Sequence, residues 1–121
     1  MEKPKDITER TFQYALRSIK LYQFLRKQKE WTGWIIGEQF LKSATSIGAN
    51  MEEAQAGESF KDFIHKCGIA QKETRESWYW LKLLAGANIV PKSKLEPRMR
   101  ETEEIYAIIT TIIVNSKRRA K

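Results

Sequence analysis

Apolar positions along the chain recur with helical spacing in four segments separated by short breaks. The first runs over about residues 6–27. Phe12, Leu16, Ile19 and Gln23 follow 4-3-4 steps, and Tyr14, Leu21 and Leu25 mark a second stripe about 200° around the helix. One apolar stripe seats a helix in a core; two imply burial on two sides. The pattern breaks at RKQKEWTG, where charges and Gly33 intervene and Thr32 is placed to cap the second helix.

The second segment, residues 33–56, has the cleanest register, with Ile36, Phe40, Ala44, Ile47, Met51 and Ala54 on one face. Within it, Ser43 to Asn50 (SATSIGAN) is rich in small side chains. Small residues let a neighbouring helix approach closely, and that packing must offset their modest helix propensity. Asn50 sits at the edge of the stripe, as a hydrogen-bonded core group or as a surface polar residue.

Ser59-Phe60-Lys61-Asp62 resembles a capping box with Asp in place of Glu, so the third segment is expected over residues 60–86. Ile64, Cys67, Gln71, Thr74, Trp78, Leu81 and Ala85 alternate by three and four, and Phe63, Ala70, Ser77 and Leu84 widen the seam. Trp80 and Leu83 lie on another side; Gly86 and Asn88 suit termination. The fourth segment is expected over residues 95–118, with Ser93-Lys94-Leu95-Glu96 as a capping box and Pro97 near the helix start. Its stretch IYAIITTIIV is β-branched and locally favours a strand. Met99, Thr102, Tyr106, Ile109 and Ile113 nonetheless keep helical spacing, and a lone strand would find no partner in this chain. The fold class predicted is all-α: an antiparallel up-down-up-down four-helix bundle, one domain over residues 1–121. Helices apolar on more than one face expose Trp, Phe and Ile, which predicts self-association.

Composition changes this picture through charge. The chain has 22 basic and 15 acidic residues, net +7. Residues 1–30 and 87–121 each carry +4, residues 31–58 carry −3 and residues 59–86 carry +2. The two ends of the chain therefore supply a basic surface if they lie side by side. Arg17, Lys20, Lys117, Arg118, Arg119 and Lys121 are the candidate nucleic-acid-binding residues, reading phosphates more than bases. Part of the tail's charge is also what a helix C-terminus favours. A protein-interaction scaffold with a basic face for an acidic partner is the rival expectation.

Candidate chemistry is thin. One Cys excludes an internal disulfide framework, and Cys67 with the single His65 cannot build a zinc site. Di-iron bundles need Glu-x-x-His pairs on facing helices, and Asp62-x-x-His65 stands alone. No phosphate loop follows a strand. No enzyme activity, cofactor or metal is expected. Trp31, Trp34, Trp78 and Trp80 at helical spacing read as core or interface more than as base-stacking platforms. Asn50, Glu53, Arg75 and Glu76, with Glu73, are expected to form a structural polar network between the second and third helices. The opening MEKPKDITER is polar, and the longest apolar run is too short for a membrane span, so a cytoplasmic protein without membrane contact is expected.

Several short motifs in order carry a resemblance. Arg10 to Leu16, Ile19 to Tyr22, Ser46-Ile47-Gly48-Ala49-Asn50-Met51-Glu52-Glu53-Ala54, Ser59 to Ile64, Ile69 to Glu76 and Tyr79-Trp80-Leu81 resemble the bacterial four-helix-bundle family encoded in intervening sequences of large-subunit (23S) ribosomal RNA genes. Met51, Cys67-Gly68, Gln71 and the loop from Ile89 to Lys94 depart from its pattern. The resemblance implies a homopentameric ring, no enzymatic activity and a poorly defined role. It places Asn50, Glu53, Asp62, Phe63 and Glu76 on signature positions, which we read as structural. A more distant similarity, to the accessory variability protein of diversity-generating retroelements, implies RNA or DNA and a reverse transcriptase as partners.

Overall fold

Four helices, α1 (Lys5–Arg26), α2 (Trp31–Gln55), α3 (Phe60–Gly86) and α4 (Lys92–Ala120), form the computed structural model, which describes residues 5–120. Short connections make chain neighbours antiparallel, and contacts run α1–α2, α2–α3, α3–α4 and back from α4 to α1. The all-α bundle expected from the periodicity is the fold.

Helix ends follow local chemistry, and two differ from expectation. α2 begins at Trp31, because the Glu30 carboxylate, and not Thr32, is the cap: it accepts from the Thr32 backbone N–H at 3.2 Å. The Trp34 indole N–H then donates to the carbonyls of Leu25 (3.0 Å) and Gln28 (2.8 Å), tying the start of α2 to the end of α1. Ser59 caps α3 as expected, its side chain accepting from the Asp62 N–H at 3.1 Å. Asn88, at φ 58°, takes the left-handed conformation that closes α3, and the Ala87 and Ile89 N–H groups return to the Leu83 and Leu84 carbonyls. α4 starts three residues early, at Lys92, because the Pro91 carbonyl accepts from both Lys94 N–H and Leu95 N–H. Ser93 therefore lies inside the helix and does not cap it. Pro97 falls in the second turn, inside the helix, where it removes the N–H that would bond to the Ser93 carbonyl.

Only one of the two α1 stripes faces the core. Ile7, Tyr14, Leu21 and Leu25 are buried, whereas Phe12, Leu16 and Ile19 are 53%, 41% and 38% exposed. From the other helices the core takes Phe40, Ala44, Ile47 and Met51 of α2, Cys67, Ala70, Leu81 and Leu84 of α3, and Leu95, Ile105 and Ile109 of α4. Each large aliphatic side chain removed from water contributes about 1.5–3 kcal/mol. The small residues of α2 give the close approach expected of them. A Cβ added at Gly48 would stand 3.3 Å from the Thr11 carbonyl oxygen, and the Ser43 and Ser77 hydroxyls meet at 2.8 Å across α2–α3. That seam is the most extensive of the four; α1–α4 is the thinnest.

Candidate nucleic-acid interface

Polar contacts bridge the α1–α4 seam. Tyr14 is buried and its hydroxyl lies 2.7 Å from the Thr102 hydroxyl. Thr102 donates its only hydroxyl proton to the Arg98 carbonyl at 2.7 Å, so Tyr14 is the donor. Burial pushes the Tyr14 phenol well above its usual range, which keeps it a donor at all ordinary pH. Above this floor Arg17 makes a two-pronged contact with Glu101, its Nε donating to Oε1 at 3.0 Å and its second nitrogen pairing with Oε2. Arg98 approaches the same carboxylate at 3.8 Å, and Arg10 pairs with Glu104 at 2.7 Å.

At one end of this seam the helices part around a recess of about 260 Å³, lined by Arg17, Lys20, Leu21 and Phe24 of α1 and Lys94, Pro97 and Arg98 of α4. Four cations thus share one small concavity. The Lys94 ammonium stands 4.2 Å from the centre of the Phe24 ring, a cation–π contact that places it over the apolar wall. Among the described residues no ion pair within 4.0 Å engages Lys20 or Lys94. The recess also adjoins the first turns of α4, where the helix dipole is positive.

The six sequence candidates do not form one surface. Arg17 and Lys20 line the recess, and Lys117, Arg118 and Arg119 are exposed at the far end of α4. Lys117 stands nineteen positions beyond Arg98, about 30 Å along the helix. Between them Glu101, Glu103 and Glu104 interrupt the positive charge. Lys121 lies outside the described residues. Lys94, Arg98 and Phe24 were not singled out as ligand-binding from the sequence. The signal was there in part: Lys94 and Arg98 are one turn apart, and antiparallel α1 and α4 bring that turn opposite Lys20 and Phe24.

The expected polar network between α2 and α3 does not join up within the chain. The Asn50 amide donates one turn back to the Ser46 carbonyl (2.9 Å) and hydroxyl (3.0 Å). Glu53, Arg75 and Glu76 are exposed, and among the described residues no ion pair links them. Arg75 projects from the opposite flank of α3, where it lines a cleft of about 410 Å³ with Thr74, Trp78, Thr102, Glu103 and Tyr106 of the α3–α4 side. Glu73 is a partly buried carboxyl, raised by burial and by neighbouring Glu76, not a paired one. Cys67 is fully buried, and burial pushes its thiol up to about 11, the behaviour of an inert core group. Among the described residues no group of three or more His, Cys, Asp or Glu side chains is arranged to hold a metal, and no helix is long and apolar enough to cross a membrane.

Residues 3–111 match the model of the family described as 23S rRNA-intervening sequence protein. A crystal structure of a protein of unknown function from the S23 ribosomal protein family of Bacteroides thetaiotaomicron superposes with a TM-score of 0.83 at 37% identity, covering 88% of this chain and 97% of that one. No curated protein matches. The recess lies wholly inside the family match and the cationic tail beyond it. By sequence and by fold, the chain belongs to the family of 23S rRNA-intervening sequence proteins.

Proposed function

We propose that this is a non-enzymatic bundle that binds RNA or DNA through phosphate contacts on its α1–α4 face. The observation that carries the reading is the convergence of Arg17, Lys20, Lys94 and Arg98 on one recess beside the positive end of a helix. The cationic end of α4 adds a second, more diffuse attraction about 30 Å away. Few groups are placed to read base edges, so sequence preference is weak and affinity is dominated by release of counterions. Fluorescence anisotropy with a labelled single-stranded RNA tests it. Three or four phosphate contacts give a slope of log affinity against log salt of about −2 to −3. Absence of binding at low salt, or affinity indifferent to salt, overturns the reading.

Self-association is part of the same proposal. Phe12, Leu16 and Ile19 form an outward apolar stripe on α1, which supports an interface between copies, with a ring of five as the form implied by the family resemblance. Light scattering is expected to give a multiple of the chain mass. A particle of 14.2 kDa contradicts assembly.

A further inference from the structure

We infer that the recess between α1 and α4 takes the terminal phosphomonoester of a nucleic-acid strand in preference to the phosphodiesters along its length. This rests on the nucleic-acid reading and narrows it to a chain end.

The size of the recess favours a single end group. At about 260 Å³ the recess is smaller than the ~300–1,000 Å³ of sites that enclose drug-sized ligands. It suits a phosphate with part of its sugar. Phe24 and Pro97 line it beside the four cations, and a strand end can bring its phosphate among them without carrying the chain onward.

Its charge favours the same group. Arg17, Lys20, Lys94 and Arg98 face the recess, and the carboxylate that offsets them is Glu101, shared between Arg17 and Arg98. An excess of about three positive charges favours the phosphomonoester, which carries about −1.5 to −2 near neutral pH, over a diester carrying one. The donors are also suited to the task. Glu101 orients both guanidinium groups, while Lys20 and Lys94 are exposed and have no ion pair within 4.0 Å among the described residues. The first turn of α4 adds its dipole in the same direction. Phe24, already beneath the Lys94 ammonium, offers an apolar face to the sugar.

The test compares one short single-stranded RNA in three forms: 5′-phosphate, 3′-phosphate and hydroxyl at both ends. The label sits at the end away from the phosphate. Wild type is expected to bind one or both phosphorylated forms about 10-fold more tightly than the hydroxyl form, a difference of about 1.4 kcal/mol. Lys20→Ala with Lys94→Ala should abolish that preference and leave residual salt-sensitive binding; both side chains are exposed, and an unchanged melting curve checks the fold. Adenosine monophosphate should compete only in large excess; competition as strong as the phosphorylated strand means a free-metabolite site and overturns the strand-end proposal. Equal affinity for all three strands also overturns it while leaving general nucleic-acid binding intact. So does a preference that survives the double substitution. Failure of every strand to bind overturns both readings together.

Discussion

Between α2 and α3 the side chains at closest approach are small or aliphatic: Ser43, Ala44 and Ile47 on one helix, Ala70, Ser77 and Leu81 on the other, all buried. Between α1 and α4, beside the apolar core that both helices share, stand a buried hydroxyl pair, two arginine–glutamate pairs and a lysine over a ring. The two seams close one bundle by different physics. Close packing at α2–α3 buries these small and aliphatic side chains around the Ser43–Ser77 hydroxyl pair. Polar pairing at α1–α4 tolerates separation, and the separation leaves a charged recess.

Substitutions that break one seam without the other separate these roles. Leu81→Ala removes a fully buried side chain from the α2–α3 side and is expected to cost about 2–5 kcal/mol in urea unfolding, with nucleic-acid affinity of the folded protein unchanged. Glu101→Ala strips the shared partner from Arg17 and Arg98. Stability should fall by about 1–2 kcal/mol while low-salt affinity for RNA rises several-fold, because two guanidinium charges are released toward the recess. Tyr14→Phe deletes the donor to Thr102, whose own bond to the Arg98 carbonyl survives, and a hydroxyl that also faces Ser77, so a loss of about 1 kcal/mol is expected, with no change in RNA affinity.

The smallest effect is alkaline. Burial raises the Cys67 thiol from its ordinary 9.0 to about 11, so the folded chain holds this proton more tightly than the unfolded one. Its contribution is fully present below about pH 9 and is lost as pH climbs through about 11. Melting temperatures across that interval should decline less steeply in Cys67→Ala than in wild type.

Element type and register were legible because each helix carries a long 3.6-residue pattern and real caps or terminators, such as Ser59 and Asn88. Periodicity also showed that α1 has two apolar stripes. It could not say that Tyr14 faces the core and Phe12 faces outward, since that depends on where α2 and α4 lie. The polar cluster failed for a related reason. Arg75 and Glu73 are two positions apart, hence about 200° apart on α3: Arg75 lines the cleft toward α4, while the charged neighbours of Glu73 are Glu76 and Lys72 of its own helix. The recess was half legible: Arg17 and Lys20 stood out through the charge of the first segment. Lys94 and Arg98 joined them only through antiparallel register, and the pairing of Arg17 with Glu101 is a tertiary fact that no linear sum of charges contains.

Chemical-shift mapping by NMR, with short single-stranded RNA added at low salt, tests most directly whether the two seams divide function from structure. Shifts are expected to concentrate at Arg17 to Phe24 and Lys94 to Arg98, with weaker ones near Lys117 to Arg119 and none along Ser43 to Ala54 or Ala70 to Leu84. Shifts centred on the α2–α3 seam, or none anywhere, would contradict that division.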